Sequence, residues 1–245
     1  MVSTYDLSTF RDAVRALVPN IGKGQITDSQ LDVLLRNAKR QVDAVKPRVR
    51  TAVVAGTPGK YYQATDTIPG WADNFSAVRS VLNPAPDVSA PSTATTDPAW
   101  VNLSDVRVLR INELEYIYMR DPIGSGHNAA FTYTVPWDIQ DLDGAETTTI
   151  DTTVQSGLEF CGAEFLCRAL AAKAAGTLDT QIPADLINYG SKQAEYTAAA
   201  DAFHVNYTRA LGIDATKPKG IIMRGDYNHT LQSGFPYVTH FSQFR

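Results

Sequence analysis

Few segments of the chain hold the residue types that chemistry requires at the spacing it requires. Gly56-Thr57-Pro58-Gly59-Lys60 comes nearest to a phosphate-binding loop. Such a loop needs G-x-x-x-x-G-K followed by Ser or Thr, so that backbone amides cradle phosphate and the hydroxyl meets magnesium. Here the spacing is two residues short and Tyr61 stands where the hydroxyl belongs, so a β-turn is expected. Asp138, Asp141, Asp143 and Gly144 could supply hard oxygen ligands to a cation. A calcium loop of the EF-hand type requires Glu at its twelfth position, and counting from Asp138 that position is Thr149. A connecting loop is the simpler reading, with a weak cation site of another kind left open. Glu113 and Glu115 alternate on an expected strand and would then face one side of a sheet. Paired carboxylates serve glycoside hydrolysis, but charges on a solvated face are far commoner. His127, His204, His229 and His240 show neither helical pairing nor a Cys partner at zinc spacing. No G-x-S-x-G elbow occurs. A non-enzymatic protein without cofactor or metal is the expectation.

The two cysteines, Cys161 and Cys167, fall in a helical stretch. Six residues along a helix is ~9 Å of rise, with side chains about 120° apart, which is beyond disulfide reach. Both are expected as small core residues. The 245 residues carry a net charge of −4, with 44% hydrophobic and 20% charged residues. That balance suits a globular fold and argues against a nucleic-acid coat, which needs clustered cations. Lys39, Arg40, Lys46, Arg48 and Arg50 are a local basic cluster at most. No run approaches the ~20 apolar residues of a membrane span, and the N-terminus lacks the pattern of a signal peptide. A cytosolic site of synthesis follows.

The elements that must position these residues fall into zones of different periodicity. Phe10, Val14, Leu17 and Val18 mark a short helix that Pro19 ends. Thr27 and Gln30 form a capping box for a second helix, with Leu31, Leu34, Leu35, Ala38, Val42 and Val45 as its apolar stripe. Pro47 stops it. Residues 48–150 are rich in strands and loops, with strand character at 61–64, 75–82, 106–111, 113–118 and 130–135. Residues 83–98, with four prolines, suggest an exposed loop, and Gly124-Ser125-Gly126 a turn. Helix returns from about Thr152 to Ala175, where Leu158, Cys161, Phe165, Leu166, Ala169 and Leu170 recur at threes and fours. A last helix runs from Pro183 to Leu211, with Gly190-Ser191 as a possible break and Gly212 as terminator. Residues 213–245 have no amphipathic period, yet hold Tyr227, Phe235, Tyr237, Phe241 and Phe244. Disordered tails are usually poor in aromatics, so this arm is expected to dock on a partner.

The expected fold is therefore α+β: a helical bundle (1–47 and 151–212), an inserted antiparallel β-rich domain (48–150) and an extended C-terminal arm (213–245). This layout resembles the head–tail adaptor, or head-completion, proteins of tailed bacteriophages. Ile68-Pro69-Gly70-Trp71 with Phe75-Ser76-Ala77-Val78-Arg79-Ser80-Val81 resembles the opening of that family's β insertion. Ala130-Phe131-Thr132-Tyr133-Thr134-Val135-Pro136-Trp137 resembles the strand that closes it. Leu166-Cys167-Arg168-Ala169-Leu170-Ala171-Ala172-Lys173 and the stretch from Asp185 to Tyr196 resemble the two hairpin helices.

The resemblance implies a dodecameric ring of identical subunits beneath the portal protein of the virion neck, assembled in the host bacterial cytoplasm. It also implies a channel through which DNA passes without specific binding, a face that receives tail or neck proteins, and no membrane. Lys217, Arg224, Tyr227, Phe235, Tyr237, Phe241, Phe244 and Arg245 are the partner-binding residues of the arm on this reading. Another neck or tail-completion protein is the near alternative. A carbohydrate-binding module using Trp71, Trp100 and Trp137 is the distant one.

Overall fold

A computed structural model describes residues 5–18, 26–55, 62–85, 99–124, 127–176 and 183–213 of the chain. The architecture is α+β, with two compact units, one helical and one built of strands.

The helical unit contains α1 (Leu7–Leu17), α2 (Asp28–Val45), α3 (Thr152–Gly176) and α4 (Pro183–Ala210). Each helix for which a start is described begins where local chemistry satisfies free amides. Asp6 accepts from Thr9 N at 2.7 Å and opens α1, a cap that the expected pattern had not included. Thr27 and Gln30 close the capping box of α2 in both directions, at 3.1 and 3.3 Å. Asp151 accepts from the amides of Thr153 and Val154 at the start of α3. The last helix is continuous through Gly190-Ser191, so no second cap forms there. It stops where Gly212 takes φ +67°, a left-handed turn that suits a residue without Cβ.

Phe10, Val14, Leu31, Leu35, Ala38, Leu158, Cys161 and Leu166 are buried in one core. The α3 helix packs against α1, α2 and α4, which explains why it buries four successive residues, Cys161 to Glu164. Two of its expected core positions, Phe165 and Ala169, are only half-buried, and Val45 at the end of the α2 stripe is exposed. Close approach depends on glycine. A Cβ on Gly157 would lie 2.3 Å from Leu211 Cδ2, and one on Gly162 would lie 2.8 Å from Val14 Cγ2.

Trp137, Ile139, Leu142 and Ile150 belong to this helical core. The boundary between the units therefore falls at Pro136/Trp137, whereas the sequence pattern had put 137–150 with the strands. The physical reason is specific. Trp137 donates its backbone N–H to the buried Asp43 carboxylate at 2.8 Å and its indole N–H to Lys46 O at 2.7 Å.

The strand unit has two three-stranded antiparallel sheets. One has the order β1 (Arg48–Ala55), β6 (Asn128–Val135), β3 (Val78–Leu82), and the other β2 (Tyr62–Ala64), β5 (Leu114–Met119), β4 (Val106–Ile111). Val54, Val81, Val106, Ile117, Met119, Phe131 and Tyr133 from both sheets share a second core. The first strand was not anticipated, although Arg48 to Ala55 is rich in β-branched residues. Residues 56–60, most of 83–98, and Ser125-Gly126 lie outside the described residues. So do 214–245, hence every expected partner-binding residue of the arm.

Candidate interaction surface

Among the described residues, several groups singled out for their chemistry make contacts within the fold. Glu113 and Glu115 do not share a sheet face. Asn112 and Glu113 occupy the turn of the β4–β5 hairpin with φ of 50° and 69°, as a two-residue hairpin turn requires. Glu115 points inward on the face of Ile117 and Met119. Its carboxylate accepts from Trp71 Nε1 at 3.0 Å and Asn74 N at 2.8 Å. Period-two alternation with Ile117 and Met119 was the signal that could have placed it inside.

Asp143 pairs with Arg36 at 2.6 Å, and Asp138 sits in a turn closed by Thr148 and Thr149. Among the described residues no three His, Cys, Asp or Glu side chains converge as a metal site. The loop does show strain of a kind that turns tolerate, with Asp141, Asp143 and Gly144 all at positive φ.

Glu164, nearly buried on α3, is gripped by Arg168 at 3.0 Å and by His204 Nδ1 of α4 at 3.0 Å. Arg168 also reaches Asp201 at 3.7 Å, so the group ties one helix to the next. Burial pushes the Cys161 thiol up to about 12, with the Glu164 charge adding to it, and the Cys167 thiol up to about 11. Both thiols are free and buried. A thiol raised in this way is a poor nucleophile, because the thiolate is the reacting form. Tyr207 is pushed up to about 12 by burial, and its hydroxyl makes no well-formed hydrogen bond. Cys161, Cys167 and Tyr207 pack the interior, while Arg168 and His204 stay half exposed.

The three tryptophans divide in the same way. Trp137 is buried in the helical core, and Trp71 is tied through its indole nitrogen to Glu115 with its ring 5.7 Å from Tyr133. Trp100 is 70% exposed. Among the described residues, Trp100 is the one tryptophan with an open ring. The basic cluster also separates. Lys39 pairs with Asp43, while Arg48 and Arg50 lie beside Tyr133.

What the described surface does offer is uncharged strand. On β1, Val49 and Val53 are 57% and 53% exposed, with Thr51 and Ala55 between and beyond them. Their partners across β6 are Thr134, Thr132, Ala130 and Asn128, so this face of the sheet carries no charge along either strand. At the tip of the other sheet Ile111 and Leu114 pair across the hairpin and both stay exposed. Native sheets usually protect such surfaces with charge, bulges or a covering partner. No family model matches this chain, and no curated protein does. Among the described residues no helix is long and apolar enough to cross a membrane.

Proposed function

We propose that the chain is a head–tail adaptor of a tailed bacteriophage: a structural protein of the virion neck that forms a ring below the portal and continues the DNA channel. The observation that carries this reading is the order of the units. A helical bundle is interrupted between Pro47 and Trp137 by a β-rich insertion, then resumed by two long helices, the second ending at Ala210. A subunit of that plan can pack its helices in a ring while its strands and its C-terminal arm reach other components. The exposed apolar strand positions are those of a protein whose surface is completed by partners. The acidic balance suits a channel that DNA must slide through, since strong phosphate contacts would hold it.

On this proposal the arm, with Lys217, Arg224, Tyr227, Phe235, Tyr237, Phe241, Phe244 and Arg245, is the segment that docks. Mixing the full chain with the portal protein of the same virus should give a ring complex by native mass spectrometry and electron microscopy. Removal of residues 214–245 should abolish it. A complex with tail components but none with the portal would instead identify a tail-completion protein. No complex with either would overturn the reading.

A further inference from the structure

We infer that residues 235–241 of one copy add as a strand, in a neighbouring copy, to the edge of β1 that no other described strand pairs with. The inference rests on the adaptor reading only for the ring that the exchange would build. It starts from β1 itself. Among the described strands β1 pairs only with β6, in an unbroken register from Arg48↔Val135 to Ala55↔Asn128. Among the described strands it is thus a long outer strand, with no bulge and no proline. Its charges, Arg48 and Arg50, alternate onto the face of Tyr133 and leave the other face to Val49, Thr51, Val53 and Ala55. A regular, uncharged edge of this kind presents unpaired backbone groups and templates another strand.

The sequence of the arm supplies the complement. Phe235, Tyr237, Thr239 and Phe241 recur at every second position, with Val238 and His240 between them. That is strand period in residues of high β-propensity. From Tyr227 to Phe244 there is no Asp, Glu, Lys or Arg, so the segment matches an uncharged face. Pro236 is tolerated near the start of an added outer strand, where its missing donor faces solvent. The segment is one residue shorter than β1. Residues 214–234, which lead to it from the end of the described chain, span about 70 Å when extended, enough to leave their own subunit.

A donor segment and an acceptor edge are two different surfaces on one chain. Contacts between unlike surfaces run head to tail, and when the rotation closes they make a ring rather than a dimer. Each copy would give one strand and receive one.

The test uses the full chain in two singly substituted forms, Val53→Cys and Tyr237→Cys, mixed and treated with a short bismaleimide. Val53 is exposed, so its substitution leaves the fold intact, and the buried native thiols do not compete. A Val53–Tyr237 cross-link between the two forms is expected, since it can arise only between copies. In parallel, amide exchange along β1 should slow by about tenfold or more as the unsubstituted protein is concentrated, and Val238→Pro should remove that protection. A third form carrying both substitutions on one chain completes the test: a cross-link within that chain, with none between the two singly substituted forms, would mean each arm covers its own edge and would overturn the exchange. A Val53–Val53 product would mean edges pair with edges, and would overturn it too. So would the absence of any cross-link together with β1 exchange that Val238→Pro leaves unchanged. All of this is read without the portal, so its failure is separate from failure of the adaptor reading.

Discussion

The helical and strand units solve the same problem of a small core in opposite ways. Among the described residues, the helical unit leaves only Val33, Val45 and Val205 as well-exposed large apolar side chains, whereas the smaller strand unit leaves Val49, Val53, Trp100, Leu103, Ile111 and Leu114. Charge pairing runs the other way. Arg11–Asp32, Arg15–Asp28, Arg36–Asp143, Lys39–Asp43 and the Glu164 group all lie in the helical unit, whereas among the described residues of the strand unit Arg120–Asp105 is a long pair at 3.8 Å. A helix can send its polar stripe to water and its apolar stripe inward along its whole length. A three-stranded sheet with one packed face must leave its other face and its edges to something else. Among the described residues, the strand unit therefore exposes more of its apolar side chains than the helical unit does.

The largest way to test that contrast is to damage each core separately. Leu35→Ala in the helical core should cost ~2–5 kcal/mol and Phe131→Ala in the strand core ~3–5 kcal/mol, since both are fully buried and each leaves a cavity. Two separate melting transitions, each shifted by its own substitution, would sharpen the distinction between units. One shared transition moved by both would break it.

A smaller effect is expected at Glu115. Glu115→Ala removes the acceptor of the part-buried indole N–H of Trp71 and of the Asn74 amide, at about 1 kcal/mol. Urea melts followed by Trp fluorescence check this, and full retention of stability would show that water replaces the carboxylate.

The helical unit also makes opposite predictions for two aspartates. Burial raises Asp43 above its ordinary value of 3.8, against the hydrogen bond from Trp137 and the charge of Lys39. The native state then holds its proton longer than the unfolded chain, so stability is lost as pH rises from about 4 through the raised value. Asp6 is lowered to about 2, first by the Thr9 amide and then by Ser8. Its contribution is present above 3.8 and lost as pH falls toward 2. Asp43→Asn should flatten the first slope and Asp6→Asn the second, each measured as melting temperature against pH. An unchanged profile in either variant would remove that assignment.

The smallest change is at the strand edge. Val53→Lys should alter the stability of the isolated chain by no more than about 0.5 kcal/mol, because the side chain is more than half exposed. A large loss of stability would mean that Val53 is packed within a single chain, and the contrast between units would fail at its most exposed point.

By itself the sequence determined most of the local structure. Thr27 and Gln30 cap a helix and Pro47 ends it, because these depend on backbone bonds within a few residues, and the β-branched run Val106 to Ile111 forms a strand. It also determined that Cys161 and Cys167 stay apart, since helix geometry separates them wherever the helix packs. The tertiary structure decided which faces are covered. It turned Glu115 inward under Trp71, attached residues 137–150 to the helical core through Asp43 and Trp137, and left Val45 and β1 open. Burial depends on what distant chain arrives opposite a residue. Glu115 and Asn74 stand 41 positions apart, and Asp43 and Trp137 stand 94 apart, beyond any local period.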